Sequence, residues 1–325
     1  MSKLSIVVPA YNEAANLPAL YESLRKTLSA LSMDWECIIV DDHSSEATFS
    51  VISAFAIQDP RIRGIRLARN HGSHLAITCG LHHAEGDCAV VLAADMQDPP
   101  EVIPRLLEQW RAGAQVVWAA RAKREGEKIS TLAFARVFYF LMRHLVGIRT
   151  MPATGADFVL IDRRVMDALK DFREANISIM ALVTWMGFQQ ATVLYNKKPR
   201  FQGQSGWTLA KKIKLVVDSV TSFSSFPIRL MSVVGALVAM VGFVYAASII
   251  ALSFISRASV PGWSSLMVVV LVLGGVQMLM MGVLGEYLWR ALDEARHRPQ
   301  YLIEATTPLS TDLGQTALFE QRRAS

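Results

Sequence analysis

Two long runs without a charged residue constrain this chain more than any other feature. They extend from Leu230 to Ile255 and from Ala258 to Gly285, and a helix needs roughly 20 apolar residues to cross a bilayer. Glycines recur in both runs, as they do in membrane helices that pack closely. The alternative, a helical hairpin buried in a soluble core, is disfavoured because uncharged runs of this length are rare there. We therefore predict two transmembrane helices, at about 230–255 and 264–288.

Positive charge flanks these runs on one side only. Lysines and arginines crowd the stretch before the first run and follow the second at Arg290, Arg296 and Arg298, whereas the linking loop carries only Arg257. The positive-inside rule then places both termini in the cytoplasm. The net charge of +5 is better explained by a membrane surface than by nucleic acid, because the cations cluster beside the first span. We expect a multi-pass protein of the inner (plasma) membrane whose soluble domain is cytoplasmic.

The cysteines and the N-terminus agree with a reducing compartment. Cys37, Cys79 and Cys88 have no metal-ligand spacing, and two of them lie in apolar runs typical of strands. We expect buried free thiols rather than a disulfide. The first residues enter a strand pattern at once and show no signal-peptide core.

The first two hundred residues alternate strand and helix patterns, which predicts an α/β domain with a doubly wound, mainly parallel sheet. The predicted strands are Leu4–Val8, Cys37–Val40, Ile62–Leu67, Cys88–Ala94, Gln115–Ala119 and Phe158–Ile161. The predicted helices are Ala14–Leu31 with Asn12 as its N-cap, Ala47–Ile57, Ser73–His83 and Glu101–Arg111. Ligands of such sheets bind beyond the carboxyl ends of the strands. Because no GxGxxG or GxxxxGK[ST] follows the first strand, dinucleotide and P-loop sites lose their main support.

Acidic residues follow three of the predicted strands. They are Glu13, Asp41 with Asp42, and Asp95 with Asp98. Carboxylates that converge at strand ends can hold a ribose or a hard divalent cation. In an extended chain Asp95 and Gln97 would point the same way and could share a metal. The alternative is that each acid serves a turn or a helix cap; their recurrence at several strand ends favours a site.

Other residues leave two interpretations open. Asp157 precedes the apolar run Phe158–Ile161 and is either a general base or an exposed turn residue. Arginine can bind phosphate oxygens in a bidentate way. The alternative is a solvated or lipid-facing surface, which is favoured for the lysines and less so for Arg121 and Arg200. The candidate phosphate ligands are Arg121, Arg124, Arg200, Lys211 and Lys212.

Five segments, taken in order, resemble inverting glycosyltransferase family 2, which has the GT-A fold. They are Ser5–Glu13 (SIVVPAYNE), Ile39–Ser44 (IVDDHS), Leu92–Pro100 (LAADMQDPP), Gly155–Phe158 (GADF) and Arg200–Ser205 (RFQGQS). With the two spans, the last two segments look like the polyprenyl-phosphate branch of that family, which includes bactoprenol glucosyltransferases and dolichyl-phosphate mannosyltransferases. The resemblance covers residues 4 to about 290.

The resemblance implies roles for individual residues. The nucleotide-sugar pocket would contain Pro9, Tyr11, Glu13, Asp41, Asp42 and Asp95. A Mg²⁺ or Mn²⁺ ion would be held against the donor diphosphate by Asp95 and Gln97. The residue near the acceptor, as candidate base, would be Asp157. Phosphates of the donor or of the lipid acceptor would be bound by Arg121, Arg124, Arg200, Ser205 and Lys211.

The chain also departs from the family pattern at three positions. Ala93 stands where the family usually has an aspartate, which predicts weaker rather than absent metal dependence. Val159 and Gly206 stand where the family often has an arginine and a lysine, so phosphate binding would depend more on Arg200 and Lys211.

The sequence thus predicts a membrane-anchored, metal-dependent enzyme that transfers one sugar to undecaprenyl phosphate, with glucose from UDP-glucose as the expected donor and mannose or another hexose as the alternative. A non-catalytic membrane protein that binds a nucleotide-sugar or recruits partners is the competing class. We expect a catalytic domain over 1–207, a basic juxtamembrane segment over 208–229, the hairpin over 230–289 and a partly disordered cytoplasmic tail over 290–325. Small residues on the spans permit association into a homo-oligomer.

Overall fold

The computed structural model describes residues 2–122, 158–172, 174, 178–197, 220–221, 224–255 and 262–307. The chain divides into two compact units. Unit 1 comprises Met1–Ser219 and Pro299–Ser325, and unit 2 comprises Val220–Arg298. The segment from Pro299 onward therefore groups with the first unit, whereas a single tail over 290–325 was predicted from the sequence.

Unit 1 contains one eight-stranded sheet within the described residues. Its strands are β1 (Lys3–Ala10), β2 (Asp34–Asp41), β3 (Ile62–Leu67), β4 (Cys88–Val91), β5 (Val116–Arg121), β6 (Phe158–Asp162), β7 (Gln190–Tyr195) and β8 (Ile303–Thr306). Its helices are α1 (Leu17–Ser29), α2 (Thr48–Gln58), α3 (Ser73–His82), α4 (Ile103–Arg111), α5 (Arg163–Leu169) and α6 (Ile179–Trp185), with a 3₁₀ turn at Pro100–Val102.

The strand order is β7-β5-β6-β4-β1-β2-β3-β8. Strands β1, β2, β3 and β4 run parallel, as do β5 and β7. Strand β6 is antiparallel to both β4 and β5, and β8 is antiparallel to β3. The prediction of a mainly parallel α/β sheet is confirmed. Because β6 runs the other way, its first residue lies at the edge where β4 and β5 end.

Helices cover both faces of the sheet. Leu4, Ile6 and Val8 of β1 are fully buried in the cluster that holds the apolar sides of α1 and α4. Val7 points to the other face, against which α3 packs. The packing is so close that a Cβ added to Gly80 of α3 would collide with Cγ1 of Val7. Alternate residues of one strand thus enter two apolar layers, which accounts for the unbroken apolar runs in the sequence.

Helix α1 begins later than predicted. Its N-cap is Asn16 rather than Asn12, and the helix starts at Leu17 with Pro18 in its first turn. A helix starting at Ala14 would have placed Pro18 in its interior, where the ring lacks an N–H and clashes with the preceding turn. Asn12 instead adopts a left-handed conformation with φ 55°.

The three cysteines are free and buried, as predicted. Burial raises the pKa of the Cys79 and Cys88 thiols to about 12. These thiols are therefore inert packing groups rather than nucleophiles.

Strand β8 was not predicted from the sequence. Its Glu304 lies 238 residues after its partner Arg66 on β3, and a four-residue strand has too few residues to show a reliable alternation. Only the tertiary structure reveals that this segment pairs with β3.

Unit 2 consists of two long apolar helices, α7 (Phe226–Ile255) and α8 (Trp263–Ala295). Each contains a window long and apolar enough to cross a membrane, at Phe226–Tyr245 and Val272–Ala295, and neither window is buried. Val241, Phe243 and Met278 are each at least 70% exposed. A hairpin inside a soluble core would hide these side chains, so the observed exposure counts against that alternative.

Candidate active site at the carboxyl edge of the sheet

Three loops at one edge of the sheet contain a non-glycine residue with positive φ. These are Asn12 after β1 (55°), His43 after β2 (60°) and Met96 after β4 (62°). Residues other than glycine rarely adopt this backbone conformation, and those that do concentrate at functional sites. The carboxyl edge of the parallel strands is therefore where the fold accommodates strained backbone.

The loops after β1 and β2 are braced against each other. The Asn12 amide donates to Ser44 Oγ at 2.9 Å, and Asn12 Oδ1 accepts from the Ser45 amide at 3.0 Å. The Asp42 amide donates to the Ala10 carbonyl at 2.9 Å. These bonds make the two loops one rigid wall of the edge.

Three of the predicted pocket residues lie on or beside this wall. Pro9 pairs in register with Val40 near the end of β1, and Tyr11 is 48% exposed just beyond that strand. The Glu13 amide donates to Thr48 Oγ1 at 3.2 Å, and its carboxylate accepts from Asn16 Nδ2. Tyr11 therefore offers an exposed ring to a ligand, whereas Glu13 is tied to the start of α1.

Asp41 is fully buried and braces its own loop. Its Oδ1 accepts from the Ser44 amide at 3.0 Å, and its Oδ2 lies 2.7 Å from Arg66 Nη1. Arg66 also donates to the Ser44 carbonyl at 3.2 Å. The buried charge is thus paired and hydrogen-bonded, as a buried carboxylate must be.

Asp42 joins the end of β2 to the loop after β3. Its two oxygens accept from the amides of His71 at 2.7 Å and Gly72 at 2.8 Å, and the residue is 3% exposed. Burial raises the pKa of Asp42, and the two backbone N–H groups oppose that rise. Asp42 therefore fixes a third loop at the same edge.

The loop after β3 was not predicted from the sequence to belong to this site. Gly72 there has φ 90° and precedes Ser73, the first residue of α3. The available signal was the Asn-His-Gly run two residues after a predicted strand, which is typical of a turn that opens a helix.

The segment after β4 is a turn rather than an extended strand. β4 ends at Val91, and the Gln97 amide donates to Asp95 Oδ1 at 3.1 Å. The extended geometry predicted for Asp95 and Gln97 is therefore wrong, because Met96 between them is left-handed. Asp95 nevertheless lies at the carboxyl edge and is 6% exposed. In the part of the chain that the structure describes, no three His, Cys, Asp or Glu side chains form a metal cluster.

A second polar cluster lies across the ends of β4, β5 and β7, and it adds Tyr195 and Lys197 to the predicted candidates Asp98 and Arg121. The Tyr195 hydroxyl donates to Asp98 Oδ1, and Lys197 Nζ lies 3.8 Å from the same oxygen. Arg121 hydrogen-bonds Tyr195, and the Tyr195 ring meets Phe158 edge-on at 5.7 Å. Burial and the Asp98 carboxylate raise the pKa of Tyr195, so its hydroxyl remains a donor.

The structure therefore brings together part of the predicted site. Pro9, Tyr11, Glu13, Asp41, Asp42, Asp95, Gln97 and Arg121 all lie at or beside the carboxyl edge. Val159, where the family often has an arginine, is fully buried in β6. The remaining candidates, Arg124, Asp157, Arg200, Ser205, Lys211 and Lys212, lie outside the described residues. One end of the edge thus carries carboxylates and the other carries cations beside Asp98, an arrangement suited to a ligand with both hydroxyls and phosphates.

Comparison with known proteins identifies similar chains. The model of the family "Glycosyl transferase family 2" matches residues 5–169. An uncharacterized glycosyltransferase of Bacillus subtilis, YkcC, is 37% identical over 300 residues, 92% of this chain and 93% of the relative. The bactoprenol glucosyl transferase of Shigella phage SfV is 36% identical over 302 residues, 93% of this chain and 98% of the relative. The aligned regions are long enough to include unit 2 as well as the sheet.

The sheet also resembles a solved structure. Glucosyl-3-phosphoglycerate synthase from Mycobacterium tuberculosis, crystallised with Mn²⁺ and UDP-glucose, superposes with a TM-score of 0.51 at 18% identity. The match covers 69% of this chain and 79% of that one. At this identity the likeness establishes the fold, which is of the GT-A type.

Proposed function

The chain belongs to glycosyltransferase family 2, and we propose that it transfers glucose from UDP-glucose to undecaprenyl phosphate at the cytoplasmic face of a membrane. The observation that carries this proposal is the 36% identity to a bactoprenol glucosyl transferase over 93% of the chain. That alignment extends through the apolar hairpin, so it covers the membrane anchor together with the catalytic sheet.

The geometry of the edge supports the same reaction. In an inverting transfer, an acceptor oxygen bonds to the anomeric carbon from one side while the bond to the diphosphate oxygen breaks on the other. A lipid phosphate is already anionic, so the protein's main tasks are to bring two anions together and to stabilise the leaving diphosphate. Arg121 and Lys197 supply positive charge at one end of the edge, and Tyr11 offers a ring to a nucleotide base at the other.

Two side chains at the edge carry oxygen atoms suited to a divalent cation. Asp95 and Gln97 offer carboxylate and amide oxygens, which hard cations such as Mg²⁺ and Mn²⁺ prefer. We propose that these two residues hold the ion, which when bound would neutralise negative charge on the donor diphosphate. Because Ala93 supplies no third oxygen, we expect weaker affinity for the metal than in relatives with an aspartate there.

The experiment that tests the proposal is a transfer assay on the full chain in detergent or nanodiscs. Purified protein is incubated with Mn²⁺, undecaprenyl phosphate and a panel of radiolabelled nucleotide-sugars, and label is counted in the organic phase. We expect label from UDP-glucose in preference to GDP-mannose and other donors. Absence of transfer from every donor would overturn the enzymatic proposal in favour of a nucleotide-sugar-binding protein.

Asp157 is our proposed base, which would accept the proton that the monoanionic form of the acceptor phosphate still carries. It directly precedes Phe158, which pairs with Ala119 two residues before Arg121. We expect Asp157→Asn to lower kcat about 100-fold, a typical loss for a general base, while UDP binding measured by calorimetry stays unchanged. The matched control is Asp167→Asn on α5, an exposed carboxylate paired with Lys170. A wild-type kcat in Asp157→Asn would exclude this role.

The path of the chain supports a topology with both termini on one side. Unit 1 precedes the hairpin, and β8 after the hairpin returns to β3 of the same sheet. In the topology that we propose, the chain crosses the membrane an even number of times between the two. Because the native cysteines are buried, we expect an impermeant maleimide on intact cells to label Ser259→Cys in the linking loop but not Ser325→Cys. Labelling of Ser325→Cys without permeabilisation would contradict this orientation.

A further inference from the structure

A segment that follows the membrane hairpin is integrated into the catalytic sheet. We call this segment, Gln300–Thr307, the strap. At its beginning, Gln300 Nε2 donates to the carbonyls of Phe172 at 3.2 Å and Glu174 at 3.0 Å. The next residue, Tyr301, hydrogen-bonds His82 Nδ1 on α3 at 3.0 Å. The strap is therefore anchored before it reaches the sheet.

The rest of the strap pairs along β3. The Ala68 amide donates to the Leu302 carbonyl at 2.8 Å. At the other end Gly64 bonds Thr307 twice, through its amide to Oγ1 at 2.8 Å and through its carbonyl to the Thr307 amide at 2.9 Å. Gly64 is required there, because a Cβ would lie 2.8 Å from the Thr307 methyl group. These contacts cover an edge strand that would otherwise be open to pairing with another chain.

One strap residue reaches the loop after β2. Glu304 Oε2 lies 2.9 Å from Arg66 Nε and 3.2 Å from His43 Nδ1. The other side of the same guanidinium holds the Asp41 carboxylate at 2.7 Å and the Ser44 carbonyl at 3.2 Å. Glu304, Arg66 and Asp41 are thus linked by two consecutive ion pairs, which connect the strap to the buried end of β2.

The planar guanidinium explains why this pair of ion pairs fixes a position. Its nitrogens form a rigid fork, so a partner on Nε sets the direction of the two terminal nitrogens. Glu304 is 47% exposed at its side chain, and exposed ion pairs contribute little to stability. Its effect should therefore appear in the position of Arg66 and of the Asp41–Ser44 loop rather than in the stability of the fold.

That loop is a wall of the proposed donor pocket. Ser44 Oγ holds the Asn12 amide, and Asp42 holds the amides of His71 and Gly72. A shift of the loop after β2 would consequently disturb the loops after β1 and β3 as well. The strap lies outside the family match, which ends at residue 169.

We propose that Glu304 is a positioning residue of the donor site, which acts through Arg66 to hold the Asp41–Ser44 loop in the geometry that binds the nucleotide. This inference rests on the proposed function, since the ligand is the nucleoside diphosphate of the donor. The strap is then a part of the nucleotide pocket that the chain supplies only after it has passed through the hairpin.

The test compares Glu304→Gln and Glu304→Lys with Glu22→Gln and Glu22→Lys in the full chain. Glu22 on α1 is a matched control because it is an exposed carboxylate paired with an arginine, Arg25, at 3.4 Å. We expect Glu304→Gln to raise KM for UDP-glucose and Kd for UDP about two- to fivefold, the range of an exposed ion pair. Glu304→Lys, which opposes Arg66 with like charge, should raise both about tenfold or more. In the Glu304 variants, kcat and the thermal midpoint should not change. In the Glu22 variants, none of these four quantities should change.

Hydrogen exchange provides a readout that needs no ligand. In Glu304→Lys we expect faster exchange of the amides of Ser44, His71 and Gly72, with unchanged exchange in α1. Wild-type exchange at these amides, or a lowered midpoint with unchanged UDP affinity, would overturn the inference and leave the strap a purely structural element. If the wild-type chain binds no UDP, the proposed function fails, while the exchange rates still decide whether Glu304 orders the loop.

Discussion

Asp95→Asn is expected to abolish sugar transfer while leaving the fold intact. Asparagine keeps the shape of the side chain and an oxygen that can accept from the Gln97 amide, as Asp95 Oδ1 does at 3.1 Å. It removes the negative charge with which, in our proposal, the Asp95 carboxylate binds the cation. Because Ala93 offers no substitute carboxylate, we expect a loss of about 100-fold or more in kcat/KM, comparable to the removal of a main electrostatic stabiliser.

The same strand offers a matched control for this variant. Asp87 directly precedes β4 at its opposite end, where Oδ2 accepts from the Lys3 amide at 2.8 Å. Asp87→Asn should retain near-wild-type turnover, which separates loss of a carboxylate at the site from loss of one at the other end of β4. Turnover is measured across a Mn²⁺ titration, with far-ultraviolet circular dichroism as the check on folding. Wild-type turnover in Asp95→Asn at every Mn²⁺ concentration would remove Asp95 from the metal site.

Asp42→Asn should weaken nucleotide binding and destabilise unit 1 at the same time. Both oxygens of Asp42 accept backbone N–H groups, from His71 and Gly72. An asparagine can accept only one of them and must turn its NH₂ group towards the other donor. An unsatisfied buried group costs about 1–3 kcal/mol, which lowers the thermal midpoint by roughly 2–4 °C per kcal/mol in a domain of this size. We also expect Kd for UDP to rise about tenfold, because the loop after β3 is released.

Asp34→Asn is the control on the same strand. Asp34 is the first residue of β2, and its carboxylate accepts only from the neighbouring Trp35 amide among the hydrogen bonds of the described chain. Its substitution should leave both the midpoint and UDP affinity unchanged. Differential scanning fluorimetry and calorimetry measure the two quantities. A stable Asp42→Asn protein with wild-type UDP affinity would show that the loop after β3 does not depend on this carboxylate.

The buried elements were the best predicted part of the fold. Ile62–Leu67 was predicted with the bounds that β3 has, and Ser73–His83 differs from α3 by one residue. Apolar residues on both faces of a parallel strand leave an uninterrupted signal in the sequence. The start of α1 was misplaced because its periodicity extends back past Pro18, although a proline is unfavourable in a helix beyond the first turn.

The site was predicted at the level of which residues gather, and less well at the level of what each contacts. The acids after β1, β2 and β4 do lie at one edge, since parallel strands bring their carboxyl ends together. The tie between Asp42 and the His71–Gly72 loop was not foreseen, nor was the Asp98–Tyr195 pair. Every residue except proline has a backbone amide, so the sequence does not show which amides a carboxylate will bind. Tyr195 lies 97 residues after Asp98, its partner.

The sequence by itself determined the class of this protein: an α/β sheet with acidic strand ends, followed by two apolar helices. Those properties depend on local composition and periodicity, which each segment carries independently of the rest. Only the tertiary structure decided that Glu304, Arg66 and Asp41 are linked by ion pairs and that a strand after the hairpin completes the sheet. Contacts of this kind depend on the geometry of distant segments, and a four-residue strand is too short for its sequence to predict which strand it pairs with.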